Sequence, residues 1–183
     1  MTVRRRAVLG VLRDVDPFSA LRRNPAYRAY RVGATTSHLG TYVQRVAQGW
    51  LVYQLTGSAA LLAAVALAGA APGAVLSLVG GVLGDRHERR AVMVWTQSGM
   101  GLLALLLGAL ALTGSVQVWH VFAIALAAGV LQALDDPVRI GITADLVRPE
   151  DLPNAVATSM TLFNLCRMLG PVVGGVLLAT VGP

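Results

Sequence analysis

The sequence predicts an all-α integral membrane protein, and three observations support this prediction. Hydrophobic residues make up 55% of the 183-residue chain and charged residues only 13%, and the mean hydropathy is +0.64, well above that of a soluble domain. Several apolar stretches reach the ~20 residues that a helix needs to cross about 30 Å of hydrocarbon. All 15 basic residues are arginines, and most of them lie at the amino terminus and in short gaps. Despite a net charge of +6, this distribution indicates a lipid environment and no nucleic-acid partner.

The apolar stretches predict five membrane-spanning helices after a basic cytoplasmic segment at 1–31. Helices are predicted because open sheet edges cannot be satisfied in lipid, and the ten-residue alternation of a membrane barrel is absent. Pro72 and Pro137 are expected to kink their helices. Together the stretches form a partial helical bundle over 32–183, with spans at about 32–55, 59–83, 91–112, 118–140 and 153–181.

Arginines divide the connecting segments into two classes. They precede the first span and follow the second and fourth, whereas the gaps near Gly57 and Gly114 hold no charged residue. By the positive-inside rule, the amino terminus is cytoplasmic and the carboxyl end of the chain emerges outside.

The first span carries a polar face. Polar residues recur at three- and four-residue spacing, which places them on one side of a helix. Arg45 lies near the bilayer centre, where a charge is costly. It either lines a cavity as a substrate or coupling residue, or hydrogen-bonds neighbouring helices and reaches toward the interface. The face comprises Ser37 or His38, Thr41, Gln44 or Arg45, and Gln48.

The gap after the second span joins a glycine-rich helix end to a tight basic turn. Topogenic charge alone would explain its arginines, but not their spacing from Gly81 and Asp85. The spacing resembles the signature loop of the major facilitator superfamily: Gly, three residues, Asp, Arg, any residue, Gly, Arg, and Arg or Lys. Glu88 stands where that family usually has glycine. The matching residues are Gly81, Asp85, Arg86, Arg89 and Arg90.

The fourth span ends with acids and a base on one face, formed by Gln132, Asp135 or Asp136, and Arg139. Its depth approaches that of the loop, so Asp85 with Arg139 is the expected interhelical pair. In the superfamily such a pair, with Asp136 beside it, implies a gate that forms in one conformation and breaks in another. The alternative is a static interfacial salt bridge of little net value.

The fifth span contains a close-packing face with Gly170 and Gly174. Its sequence resembles the second half of the fifth-helix motif of drug and proton antiporters, Gly, Pro, two residues, Gly, Gly. The first half is absent, because Cys166 and Ala157 occupy glycine positions. The matching residues are Gly170, Pro171, Gly174 and Gly175.

The resemblance extends over 42–55, 136–139, 146–155 and 163–171. In these segments the sequence is similar to the bacterial export branch of the superfamily, which contains enterobactin exporters. It implies five helices of an amino-terminal six-helix bundle in the bacterial plasma membrane. It also implies proton-coupled export of a small molecule, either a drug or siderophore-like, by alternating access. No cofactor, metal or enzymatic activity is implied. The expected cavity residues are Thr41, Gln44, Arg45, Gln48, Asn164 and Arg167.

Two other interpretations follow from the residues. A membrane-embedded enzyme would need a nucleophile with a base, or a metal cluster, but the three histidines lie at different depths and Cys166 is the only cysteine. A chain ending here would be a non-transporting fragment, or a half-transporter that needs the missing carboxyl-terminal bundle as a partner. Gly170 and Gly174 would then face lipid or an absent neighbour, which would favour poor stability or self-association.

Overall fold

The regular structure is helical in a computed structural model of the protein. The structure describes the backbone of residues 19–86 and 88–181 and the side chains of residues 21–76 and 88–180. The described chain contains no strand, which confirms the all-α prediction. Its α-helices are α1 (Ser19–Arg23), α2 (Pro25–Thr56), α3 (Ala59–Arg86), α4 (Arg89–Leu112), α5 (Val118–Leu146) and α6 (Leu152–Val181). A short 3-10 turn at Pro149–Asp151 lies between α5 and α6.

Local caps, rather than the nearest charges, set the two ends of α2. The Asn24 side chain accepts a hydrogen bond from the backbone N–H of Tyr27 at 3.1 Å, and Pro25 occupies the first turn. Gly57 ends the helix in the left-handed conformation, at a φ of 62°. The helix therefore begins before residue 32, where the apolar stretch was expected to start.

Four helical segments of the described chain are long and apolar enough to cross a membrane. α2 is long enough at 32 residues, but its polar face lowers its hydropathy below that of the other helices. This face needs protein or water beside it, because lipid cannot satisfy it. The four segments are Ala59–Leu76, Arg89–Leu112, Val118–Leu146 and Pro149–Thr180.

Glycines bring α6 against α2. A Cβ added to Gly170 would approach the Cβ of Tyr42 closer than 3.0 Å, and one added to Gly174 would lie 3.1 Å from the Cβ of Val46. Both glycines are buried. The expectation that they face lipid or an absent neighbour is wrong, because α2 covers them. Of the same motif, Gly175 has open space around it.

A second glycine contact joins α3 to α5. Gly129 lies against the backbone of Gly69, so closely that an added Cβ would collide with the Gly69 carbonyl oxygen. This approach brings polar positions of α5 toward the middle of the bundle, where α2 and α4 also pass. Pro72 and Pro137 lie inside α3 and α5, and both helices continue through them.

The bundle has two distinct ends. Near the uncharged turns at 57–58 and 113–117, an apolar cluster closes the interior; its buried members are Val52, Val65, Leu107, Val121, Ile124 and Ala125. At the other end, Tyr27 is fully buried and packs with Ala155, and its hydroxyl donates to the Ala155 carbonyl at 3.0 Å. Many large apolar side chains on the outer surface are exposed, including Trp95 at 80% and Leu112 at 88%, as expected for lipid-facing helices.

Candidate functional site

A cavity of about 270 Å³ lies inside the bundle between α2, α3, α4 and α5. Most of its wall is apolar or small, because α3 contributes mainly leucine, valine, alanine and glycine. The polar part of its wall comes from α2 and α5. Its polar residues are Thr41, Gln44, Arg45, Gln48 and Gln132.

The cavity is the middle one of three layers. Along α2, the chain passes from Ser37 through Arg45 and Gln48 to Val52, which belongs to the apolar cluster. The other helices follow the same order, since α5 lines the cavity between its cluster residues and Asp135. The apolar cluster therefore closes the cavity at one end, and a polar network lies at its other end.

Asp135 is the centre of that network. Its carboxylate has no exposed surface, and it accepts hydrogen bonds from the Thr96 hydroxyl at 2.7 Å and the Gln97 amide at 2.9 Å. The Arg139 guanidinium donates to the same carboxylate as an ion pair one helical turn away. The Ser37 hydroxyl donates to the Gln97 carbonyl oxygen at 2.5 Å. One satisfied buried network thus joins α2, α4 and α5.

Two of the polar side chains, Arg45 and Gln48, offer hydrogen-bond donors to the cavity. Arg45 is exposed and lies with its guanidinium carbon 5.2 Å from the centre of the Tyr42 ring, a distance at which a cation and a ring attract. Gln48 is only 8% exposed, and its amide nitrogen has no hydrogen-bond partner among the described residues. An unpaired buried donor costs free energy, so this amide is available to an acceptor that enters the cavity.

The predicted cavity residues separate into two groups. Thr41, Gln44, Arg45 and Gln48 line the same cavity, as their common helical face requires. Asn164 and Arg167 are exposed on α6 and do not line it. Their role in a larger cavity stays a prediction.

The predicted gate falls partly outside the described side chains. The side chains of Gly81, Asp85 and Arg86 lie outside the described residues. A pair between Asp85 and Arg139 therefore stays a prediction. The described acid that pairs with Arg139 is Asp135.

The other charged positions of the gate and loop lie toward the surface. Asp136 is exposed and accepts a hydrogen bond from Gln132. Arg89 lies 2.9 Å from both carboxylate oxygens of Asp145 and links α4 to α5. Arg90 is exposed.

Sequence reasoning missed three features of the described bundle. The helical spacing along α5 did not show which of Asp135 and Asp136 pairs with Arg139. The four-residue separation between Asp135 and Arg139 was a signal for Asp135. Thr96 and Gln97 gave no signal, because their role depends on packing against α5. Arg31 was also missed: it is 6% exposed and donates to the Ser159 hydroxyl at 2.8 Å.

Comparison with known proteins assigns the chain to a family. A family model described as transmembrane secretion effector matches residues 15–183. The chain belongs to the major facilitator superfamily. Similar members include the multidrug efflux pump Tap of Mycolicibacterium fortuitum, 34% identical over 81% of this chain and 38% of the relative. The enterobactin exporter EntS of Shigella boydii is 32% identical over 90% of this chain and 39% of the relative.

A staphyloferrin A transporter of Staphylococcus aureus is also similar, at 26% identity over 77% of this chain and 36% of the relative. No solved structure matches the chain. The chain therefore spans about two fifths of the length of these superfamily members.

Proposed function

We propose that these residues form the amino-terminal bundle of a secondary transporter that exports a small molecule by alternating access. The cavity is the observation that carries this proposal, because it places Arg45 and several amides at mid-bundle between an apolar cluster and a charged network. The relatives are named as a multidrug efflux pump, an enterobactin exporter and a staphyloferrin A transporter, and these names support a drug or siderophore-like substrate. Since the chain spans about two fifths of each relative, the second bundle would supply the opposite wall.

The three-layer order supports an alternating-access mechanism. The apolar cluster closes one end of the cavity by packing, whereas the other end is held by hydrogen bonds and an ion pair that can be exchanged without exposing apolar surface to water. We propose that Asp135 and Arg139 hold the gated end, and that Asp85 approaches them in one conformation. Proton movement would drive the cycle, with no cofactor and no enzymatic step.

We also propose that the gated end is cytoplasmic. Arg23 contacts Asp151 at 3.6 Å and Arg89 pairs with Asp145, so basic residues before α2 and after α3 lie at the same end of the bundle. Arg148, in the α5–α6 connection, is at this end too. This grouping matches the positive-inside rule for a plasma-membrane protein with a cytoplasmic amino terminus.

Efflux from cells tests the transport proposal. The open reading frame that contains these residues would be expressed in a bacterial strain lacking its own exporters, and efflux of a dye panel and a catecholate siderophore would be measured with and without a protonophore. We expect protonophore-sensitive efflux that Arg45→Ala abolishes. The matched variant Arg28→Ala changes an exposed arginine near the amino-terminal end of α2 and is expected to keep efflux. Absence of efflux by the unaltered, membrane-inserted protein would contradict the proposal.

A further inference from the structure

We infer that the cavity takes a small organic anion with an apolar body, held through its acceptor oxygens by Arg45 and Gln48. This inference rests on the proposed function, because it names the substrate class of the same cavity. Of the residues that line the cavity, Arg45 is the one that carries a charge. A bound anion would meet this guanidinium beside a largely apolar wall, where a charge-assisted hydrogen bond is stronger than in open water.

The two acids near the cavity, Asp135 and Asp136, are not part of its lining. Asp135 is neutralised by Arg139 and satisfied by two further donors. Asp136 is exposed outside the lining and accepts a hydrogen bond from Gln132. A cationic ligand would therefore meet Arg45 with no carboxylate in the cavity wall to compensate, which disfavours it.

Gln48 supplies the second part of the recognition. Its buried amide nitrogen lacks an acceptor among the described residues, and its side chain lies one helical turn along α2 from Gln44 and Arg45. A ligand oxygen that accepts from this amide would remove the cost of an unpaired donor. Arg45 and Gln48 therefore form one donor edge on α2.

The rest of the wall defines the ligand body. The apolar part of the wall comprises Leu62, Val65, Ala66 and Met100, together with small residues of α5. A hydrated inorganic ion would make no apolar contact with these side chains. A volume of about 270 Å³ accommodates a fused aromatic or comparable apolar group. Tyr42, held beneath the Arg45 guanidinium, keeps that cation at the cavity wall.

Three matched probes test the ligand class. The protein encoded by the complete open reading frame would be reconstituted in phosphatidylcholine nanodiscs, and calorimetry would measure binding of 1-hydroxy-2-naphthoate, its neutral carboxamide, and 2-naphthylmethylammonium. Empty nanodiscs correct for partitioning into lipid. We expect the anion to bind at least about tenfold more tightly than the carboxamide, the ratio that one charge-assisted hydrogen bond supplies, and the cation to bind most weakly.

Two variants, each with a matched control, separate the contributions of Arg45 and Gln48 to binding. Arg45→Met should bring the affinities for anion and carboxamide within about twofold of each other, whereas Arg28→Met, on the same helix, should keep the unaltered ratio. Gln48→Met should weaken both probes about three- to tenfold without changing their ratio, and Gln54→Met, which changes an exposed glutamine, should weaken neither. These ratios compare probes on one preparation, so partial loss of folded protein leaves them unchanged.

The proposal is overturned if the anion fails to bind, if the carboxamide or ammonium binds as tightly as the anion, or if the preference survives Arg45→Met. Failure of the transport proposal is a separate result. Anion-selective binding without efflux would contradict transport and retain the ligand class. Efflux without anion preference would contradict the ligand class and retain transport.

Discussion

Replacement of Gly170 by alanine should separate α2 from α6 and destabilise the bundle. The added methyl group would lie closer than 3.0 Å to the Cβ of Tyr42 and 3.4 Å from its Cγ. A Cβ moves only with its backbone, so a change of rotamer cannot relieve the contact. Because carbon atoms attract best at ~3.5–4.0 Å, the two helices must move apart by at least about half an ångström.

The size of the effect follows from two opposing contributions. Overpacking of a tight interior costs about 1–3 kcal/mol, whereas exchange of glycine for alanine favours the helix by about 1 kcal/mol. The difference lies between about 0 and 2 kcal/mol. Because the overlap at Gly170 is with a Cβ that cannot rotate away, we expect Gly170→Ala to lower the free energy of unfolding by an amount near the upper end of that range, about 2 kcal/mol. Gly174→Ala, with Val46 at 3.1 Å, should be close to neutral. Gly175→Ala, with open space around it, should be neutral or stabilising.

Unfolding in mixed detergent micelles, followed by tryptophan fluorescence, would measure the three variants under one condition. The expected order of stability is Gly175→Ala, then Gly174→Ala, then Gly170→Ala. Because Tyr42 also holds the Arg45 guanidinium, the Gly170 variant should weaken anion binding as well. Equal stability of Gly170→Ala and Gly175→Ala would refute the packing of α6 on α2.

Three further substitutions test the network, the second glycine contact and the buried tyrosine. Asp135→Asn should destabilise the protein by roughly 3 kcal/mol, because it leaves the buried Arg139 guanidinium without a countercharge. Gly129→Ala should cost about 2 kcal/mol, since its methyl group meets a backbone carbonyl of α3 that cannot rotate away. Tyr27→Phe should cost about 1 kcal/mol through loss of a buried hydrogen bond. Each change would be measured by the same unfolding assay.

Matched controls accompany these substitutions. Asp136→Asn and Tyr53→Phe alter exposed residues of the same types and should stay within about 0.5 kcal/mol of the unaltered protein. Gly101→Ala adds a methyl group where nothing lies within 4 Å. Asp135→Asn matching Asp136→Asn would contradict a structural role for the network, and Gly129→Ala matching Gly101→Ala would contradict the close α3–α5 contact.

Local sequence was sufficient for the helices and for one wall of the candidate site. A 3.6-residue period places Thr41, Gln44, Arg45 and Gln48 on one face whatever lies opposite, and the structure brings these residues to one cavity. The same period cannot show which of two adjacent acids is buried. Asp135 lies in the interior and Asp136 is exposed because of the direction in which α4 packs on α5.

The sequence by itself determined the membrane environment, the helical class and the polar face of α2, since composition and local periodicity specify what lipid will accept. Only the tertiary structure decided which helices meet at glycines, which acid pairs with Arg139, and that Asn164 and Arg167 lie away from the cavity of the described bundle. The physical reason is that a glycine or a buried charge has the same local pattern wherever it faces. Its partner is chosen by the packing of residues far apart in the chain.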